Sequence, residues 1–83
     1  MEAGFNGDSP TIIIIHGDTV GVIAKITAVM SSFNYNVERM SVSRNVKLNT
    51  ALSWIEVSTN VSDELVKEIR KISYVKKVRV LNV

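Results

Sequence analysis

Four consecutive isoleucines at residues 12–15 constrain the fold of this 83-residue chain more than any other feature. They lie in a strand predicted over residues 11–16, which Pro10 precedes. Successive side chains of a strand point to opposite sides of a sheet, so a strand that is apolar on both sides needs cover on both faces. We therefore expect this strand to lie at the centre of a sheet.

The periodicity changes to that of a helix after a break at residues 17–21. Thr19 is expected to cap this helix, with Val20 in the first helical position. Asn34 is expected to end the helix in the left-handed conformation. The buried stripe is predicted to comprise Val22, Ile23, Ile26, Val29, Met30 and Phe33.

Three more strands and a second helix are predicted in the remainder of the chain. A polar strand at residues 35–44 suits a sheet edge, and a loop at residues 45–49 joins it to a strand at residues 50–58. That third strand is apolar on both faces and is expected to be central. Ser62 is expected to cap the second helix, and a last strand is predicted at residues 75–81. The buried stripe of the second helix is predicted to comprise Leu65, Val66, Ile69 and Ile72.

The element order, strand–helix–strand–strand–helix–strand, predicts an α+β fold. Two right-handed β–α–β crossovers folded together give a ferredoxin-like βαββαβ sandwich. In this architecture four antiparallel strands form one sheet and both helices cover the same face. We assign residues 10–83 to this domain and residues 1–9 to a polar lead-in.

Size and composition limit how the domain is stabilised and where it works. A chain of this length buries only about 60–65% of its unfolded surface. Without cysteine it has neither disulfides nor a thiolate metal site, so self-association is the favoured way to bury more area. The longest apolar run has four residues and the start lacks the pattern of a secretory signal. We therefore expect a cytoplasmic protein without a membrane span.

The charge pattern does not indicate a nucleic-acid site. The formal net charge is +2, and basic residues gather between residues 67 and 79. Recognition of single strands needs aromatic side chains among such charges, and only Tyr74 is near. The pattern predicts a solvated helix and edge-strand surface.

Catalytic patterns are missing from the sequence. His16 is the single histidine, no serine lies in a nucleophile elbow, and no Gly-rich phosphate loop is present. One histidine with scattered carboxylates makes a poor transition-metal site. We therefore expect no catalysis, metal or cofactor in this chain itself.

The passage from the first strand to the first helix is the candidate site. Backbone N–H groups near residues 20–22 would lack helical partners and would accept a carboxylate. Gly21 would let a ligand approach the backbone closely, and Asp18 would pair with an ammonium group. His16 and Asn36 would add neutral hydrogen bonds, and a free amino acid fits this combination. The candidate ligand-binding residues are His16, Asp18, Thr19, Val20, Gly21, Val22 and Asn36.

Each of these residues also has a structural explanation. Gly21 would permit close packing of the helix on the sheet, and Asp18 would cap its own turn. A histidine at a strand end, such as His16, is more often a satisfied structural side chain than a ligand contact. Asn36 fits a turn after the helix, and Trp54 fits either the core or a dimer interface. The residues taken singly leave both explanations open.

Three segments together carry a resemblance to a known family. They are His-x-Asp-x-x-Gly-Val-Ile-Ala-Lys-Ile-Thr at residues 16–27, Asn-Tyr-Asn-Val at residues 34–37 and Met-Ser-Val-Ser-Arg at residues 40–44. The combination resembles the ACT domain, a ferredoxin-like regulatory module attached to enzymes of amino-acid metabolism. Gly-Phe-Asn-Gly at residues 4–7 and Trp-Ile-Glu-Val at residues 54–57 look like one subgroup, the beta chain or beta region of iron–sulfur-dependent L-serine dehydratase.

The resemblance implies an effector site between paired domains. In serine-binding members, such as the domain ending D-3-phosphoglycerate dehydrogenase, the effector contacts a His and an Asn in the first strand–helix loop and an Asn that begins the second strand. The matching positions are His16, Asp18 and Asn36, of which Asp18 departs from the amide. Its charge would favour the ammonium group of L-serine or another amino acid and disfavour the carboxylate. Val20 stands where the family usually has proline, which predicts a less rigid loop.

The resemblance also implies partners outside the chain. The parent enzyme would convert L-serine to pyruvate and ammonia with a [4Fe–4S] cluster, and the cluster and catalysis would lie on another chain or region. A homodimer formed through the edge strand at residues 35–44 would place ligand sites at the seam. Two other functions stay open: a structural dimerisation or docking domain without a ligand, and an RNA-recognition-type domain. The second needs exposed aromatics on the first and third strands, where only Trp54 occurs.

Overall fold

The computed structural model describes residues 9–83. The predicted lead-in, apart from Ser9, and the Gly-Phe-Asn-Gly segment lie outside the described residues. The elements follow the predicted order: β1 (Thr11–Gly17), α1 (Val22–Ser32), β2 (Val37–Asn45), β3 (Thr50–Val57), α2 (Asp63–Arg70) and β4 (Val75–Leu81).

The four strands form one antiparallel sheet in the order β2-β3-β1-β4. β1 pairs on both sides and so does β3, which makes both of them central, as their apolar patterns predict. The polar β2 lies at one edge and β4 at the other. The ferredoxin-like βαββαβ fold is confirmed.

The core lies between one face of the sheet and both helices. Ile12 and Ile14 of β1 are fully buried on this face, and Ile55 of β3 lies opposite Ile12. Removing each such side chain from water contributes about 1.5–3 kcal/mol, so packing on this face supplies much of the stability. The helices cover it with Val22, Ile26, Met30, Leu65 and Ile69.

The opposite face of the sheet is half-buried. Ile13 lies opposite Trp54, and Ile15 lies opposite Leu52. All four side chains keep part of their surface exposed. Trp54 is therefore on the face of the sheet that the two helices leave uncovered.

α1 begins two residues later than the sequence predicts. Gly21, and not Thr19, occupies the cap position, with φ at 90°, and no side chain accepts a cap hydrogen bond. The preceding turn closes when the Val22 N–H donates to the Thr19 carbonyl at 3.3 Å. Glycine adopts this left-handed conformation without a Cβ clash, so Gly21 decides where the helix can start. The predictions for Thr19 and Val20 are therefore wrong, whereas Asn34 does end the helix with φ at 61°.

α2 begins at its predicted cap. The Ser62 Oγ accepts a hydrogen bond from the Leu65 N–H at 3.2 Å. The Tyr35 hydroxyl accepts from the Ser62 N–H at 2.9 Å and donates to the Asn60 carbonyl at 2.8 Å. Tyr35 thus joins the loop before β2 to the start of α2, and β2 begins only at Val37. Within residues 9–83, neither helix is long and apolar enough to cross a membrane.

Candidate functional site

A cavity of about 320 Å³ lies at the carboxyl end of β1, beside the start of α1. It contains five of the seven residues predicted for the ligand site, and two residues that the sequence did not identify. Val22 and Asn36 do not line it. The lining residues are His16, Asp18, Thr19, Val20, Gly21, Ile23 and Arg44.

A larger recess of about 550 Å³ adjoins this cavity under the loop between β2 and β3. Ile15, Val46 and Leu52 are among the residues that line it, and Arg44 lines both spaces. The smaller cavity is the candidate site, because it combines opposite charges with a helix N-terminus.

His16 is held by groups of the chain itself. It is 2% exposed, with Nδ1 at 2.9 Å from the Gly17 carbonyl oxygen and Nε2 at 2.7 Å from Ser53 Oγ. A carbonyl can only accept, so Nδ1 donates, and in the neutral ring Nε2 accepts from the Ser53 hydroxyl. Both ring nitrogens are therefore engaged, as the structural explanation of His16 requires. The ring forms part of the cavity wall.

An ion pair joins two sides of the cavity. Arg44 Nε lies 3.3 Å from Asp18 Oδ1, and the Arg44 side chain is 67% exposed while that of Asp18 is 26% exposed. The Asp18 backbone N–H donates to the Asn49 carbonyl at 3.0 Å, which fixes Asp18 against the loop between β2 and β3. The cavity thus has a positive group beside the carboxylate that the sequence identified.

The sheet register explains how Arg44 reaches Asp18 across an intervening strand. Arg44 of β2 lies opposite Ala51 of β3, and Ala51 lies opposite His16 of β1. Ala51 has only a methyl group, so the long Arg44 side chain can cross β3 to the end of β1. The short loop between β2 and β3 places Asn45 opposite Thr50 and was the available signal, because a tight hairpin fixes the pairs next to its turn.

Backbone N–H groups without a partner among residues 9–83 occur at Val20 and Gly21, where the sequence predicts them, and also further into α1. The Val22 N–H is used by the turn, and the Lys25 N–H donates to the Gly21 carbonyl at 3.0 Å. Between them, the N–H groups of Ile23 and Ala24 have no hydrogen-bond partner in the part of the chain that the structure describes. The partial positive charge of the helix end is therefore available beside the cavity.

The remaining predicted residues take different positions. Val20 is fully exposed at the cavity rim, whereas Val22 is buried in the core. Asn36 precedes β2, and its carbonyl accepts from the Ser58 N–H at 3.2 Å. Since Arg44 is eight residues further along this extended segment, Asn36 lies roughly 25 Å away from the cavity end of the strand. Within one chain, Asn36 therefore lies far from the candidate ligand-binding residues that line the cavity.

The fold and the cavity define a class: a small βαββαβ module whose recess is built from a strand–helix loop and one ion pair. The chain belongs to the ACT-domain family. Residues 12–77 match the family described as "AHAS small subunit-like ACT domain". The resemblance seen in the sequence is thereby confirmed.

Two similar proteins are named as a dehydratase chain and a dehydrogenase. The "Probable L-serine dehydratase, beta chain" of Bacillus subtilis is 35% identical over 72 residues, which cover 87% of this chain and 33% of that protein. The "D-3-phosphoglycerate dehydrogenase" of Synechocystis sp. is 31% identical over 62 residues, which cover 75% of this chain and 11% of that protein. The chain thus spans a third or less of the length of these relatives.

Solved structures agree with the fold. The ACT domain from GTP pyrophosphokinase of Chlorobium tepidum has a TM-score of 0.70 at 24% identity and covers 87% of this chain and 95% of its own. The acetolactate synthase small subunit of Thermotoga maritima has a TM-score of 0.64 at 17% identity, covering 87% of this chain and 46% of its own. At these identities the likeness concerns the fold alone.

Proposed function

We propose that this chain is an amino-acid-binding regulatory and assembly domain of an L-serine dehydratase, with L-serine as its effector. The observation that carries the proposal is the 35% identity to an L-serine dehydratase beta chain over 87% of the residues. The conversion of L-serine to pyruvate and ammonia would take place outside this chain.

The chemistry of the cavity supports an amino acid as the ligand. Asp18 supplies a negative charge for an ammonium group, and the N–H groups of Ile23 and Ala24 supply donors for a carboxylate. The His16 ring forms part of the cavity wall and is held in place by its bonds to Ser53 and the Gly17 carbonyl, which use both ring nitrogens.

The cofactor of such an enzyme does not fit this chain. A [4Fe–4S] cluster is held by cysteine thiolates, and the sequence contains no cysteine. The cluster would therefore be bound by the catalytic chain or region, to which this domain would couple ligand binding through its position in the assembly.

Pairing of two copies through β2 would bring Asn36 to the cavity. β2 is an exposed edge strand, so its free side can add a strand from a second copy. If two β2 strands pair antiparallel about Ser41, the middle residue of the strand, Val37 lies opposite the partner's Asn45. Asn36 would then stand beside the partner's cavity, at a seam between the two domains. This arrangement accounts for the separation of Asn36 from the other candidates in one chain.

An amide NMR titration tests the proposal. The protein is first shown to be dimeric by sedimentation, and L-serine is then added, with D-serine and L-leucine as controls. We expect saturable shifts for L-serine alone, confined to residues 16–23, Asn36 and the end of β2. A dimer whose amides do not shift would contradict ligand binding and would favour the alternative, a structural dimerisation or docking domain without a small-molecule ligand.

A further inference from the structure

Arg44 lines the cavity but is not among the ligand-binding residues that the resemblance implies. The site matched from the serine-binding relatives consists of one histidine and two asparagines and is neutral. Here Asp18 replaces one amide, and Arg44 lies 3.3 Å from it. The two groups are opposite in charge, so the cavity carries one negative and one positive group.

The ion pair uses only part of the hydrogen-bonding capacity of the Arg44 side chain. It joins Nε of Arg44 to one carboxylate oxygen of Asp18, and no hydrogen bond among residues 9–83 uses an Arg44 side-chain N–H. A guanidinium group has five N–H donors arranged to match a carboxylate. With 67% of the side chain exposed, most of this capacity faces the cavity and solvent.

We propose that Arg44 binds the carboxylate of the effector while Asp18 binds its ammonium group, so that a zwitterionic amino acid inserts between them. The inference rests on the function proposed above and adds the residue that binds the carboxylate of the effector. The positive charge of Arg44 would also offset the negative charge of Asp18, which alone would repel the carboxylate of the effector. Arg44 and the N–H groups of Ile23 and Ala24 supply compensating positive charge.

The position of Arg44 in β2 would link binding of the effector to the proposed dimer interface. Arg44 lies in β2, the strand proposed to pair with a second copy, and reaches its site by crossing Ala51. Replacing Ala51 by a larger residue would obstruct that path without changing any charge. A ligand held by both Arg44 and Asp18 would therefore join β2 to the loop that begins α1.

The test measures binding of three probes to the dimeric chain by calorimetry. L-serine carries both charges, ethanolamine lacks the carboxylate, and 3-hydroxypropionate lacks the ammonium group. We expect L-serine to bind and each singly charged probe to bind at least about tenfold more weakly, because each loses one charge-assisted contact. Ethanolamine binding as tightly as L-serine would overturn the role of Arg44.

Variants separate this inference from the proposed function. Arg44→Gln should weaken L-serine binding roughly 10- to 100-fold, and Arg44→Lys should fall between it and the unaltered chain, because lysine keeps the charge but loses the planar fork. Lys47→Gln removes the same charge from the adjacent loop, outside the cavity lining, and should bind L-serine normally. Equal affinity in Arg44→Gln and the unaltered chain would overturn this inference and leave the proposed function standing. No binding of L-serine by the unaltered dimer would overturn both.

Discussion

The two helices of the domain begin in opposite ways. At the start of α2, the Ser62 Oγ accepts from the Leu65 N–H, and the Ser62 N–H itself donates to Tyr35. Asn82 brackets Val61 just before the cap, accepting from its N–H at 2.7 Å and donating to its carbonyl at 3.2 Å. Side chains from other parts of the chain therefore bind Val61 and the Ser62 N–H, while the N–H groups of Asp63 and Glu64 have no hydrogen-bond partner among residues 9–83.

The start of α1 has no side-chain cap of this kind. Gly21 occupies the cap position without a side chain, and the N–H groups of Ile23 and Ala24 stay without partners among the described residues. No acidic residue lies in the first turn of α1, whereas Asp63 and Glu64 lie in the first turn of α2.

The difference lies in the cap, in the charge of the first turn and in what lies beside each helix start. A helix end normally satisfies its free donors with a side-chain cap or with water. α2 has a side-chain cap and acidic residues in its first turn, while α1 has neither and begins beside a cavity that holds an ion pair. Removing the side chain at the suggested cap position should therefore lower the free energy of unfolding at α2 but not at α1.

The largest effect on stability is expected from Tyr35→Phe, which removes a hydroxyl bonded at the start of α2. Removing the hydroxyl breaks two hydrogen bonds and leaves the Ser62 N–H and the Asn60 carbonyl without them. The expected loss in the free energy of unfolding is about 2 kcal/mol. Urea unfolding followed by fluorescence, at one protein concentration, measures it. Tyr74→Phe is the matched control, since the exposed Tyr74 hydroxyl makes no hydrogen bond within residues 9–83. Equal losses in the two variants would contradict a stabilising role for the Tyr35 hydroxyl at the start of α2.

Gly21→Ala is expected to have the next largest effect, through the backbone and not through contacts. Nothing lies within 4 Å of an added Cβ, but φ at 90° is strained for alanine. We expect a loss of about 1.5 kcal/mol in the free energy of unfolding. Gly21→Asn should lose less, because asparagine tolerates the left-handed region better. If alanine and asparagine cost the same, φ is not what requires glycine here.

A pair of cap substitutions compares the two helix starts directly. Ser62→Ala should lower the free energy of unfolding by about 1 kcal/mol, since the Leu65 N–H loses its acceptor. Thr19→Ala, at the residue that the sequence suggests as the α1 cap, should change it by less than about 0.5 kcal/mol, because the Thr19 side chain caps nothing. Thermal or urea unfolding of both variants measures the difference. A Thr19 effect as large as the Ser62 effect would mean that α1 is capped after all.

The sequence predicted the parts of the fold that depend on local pattern. The isoleucines at residues 12–15 fixed β1 as central, and Ser62 with the acidic residues after it marked the start of α2. The α1 start was mispredicted because threonine is a preferred cap residue, whereas the left-handed conformation of Gly21 depends on the whole turn. The left-handed conformation at Gly21 therefore outweighed the preference of threonine for a cap position.

The site was predicted only where its residues are adjacent in sequence. His16, Asp18 and residues 19–21 line one cavity, yet the partner of His16 is Ser53, which is 37 residues away on the neighbouring strand β3. The contact between Arg44 and Asp18 likewise depends on strand register and on the small Ala51 between them. Such contacts are set by the tertiary fold, and neither residue type alone indicates them.

The smallest effect is expected from Arg44→Gln in the absence of ligand, and its size bears on why the ion pair exists. Exposed ion pairs contribute little to stability because water screens the charges and the long side chains lose entropy. With Arg44 67% exposed, the loss in the free energy of unfolding should stay below about 0.5 kcal/mol, matching Lys47→Gln. Urea unfolding of both variants without amino acid measures it. A loss well above that of Lys47→Gln would mean that Arg44 holds the α1 loop in place, whereas equal losses would leave ligand recognition as the property that the pair serves.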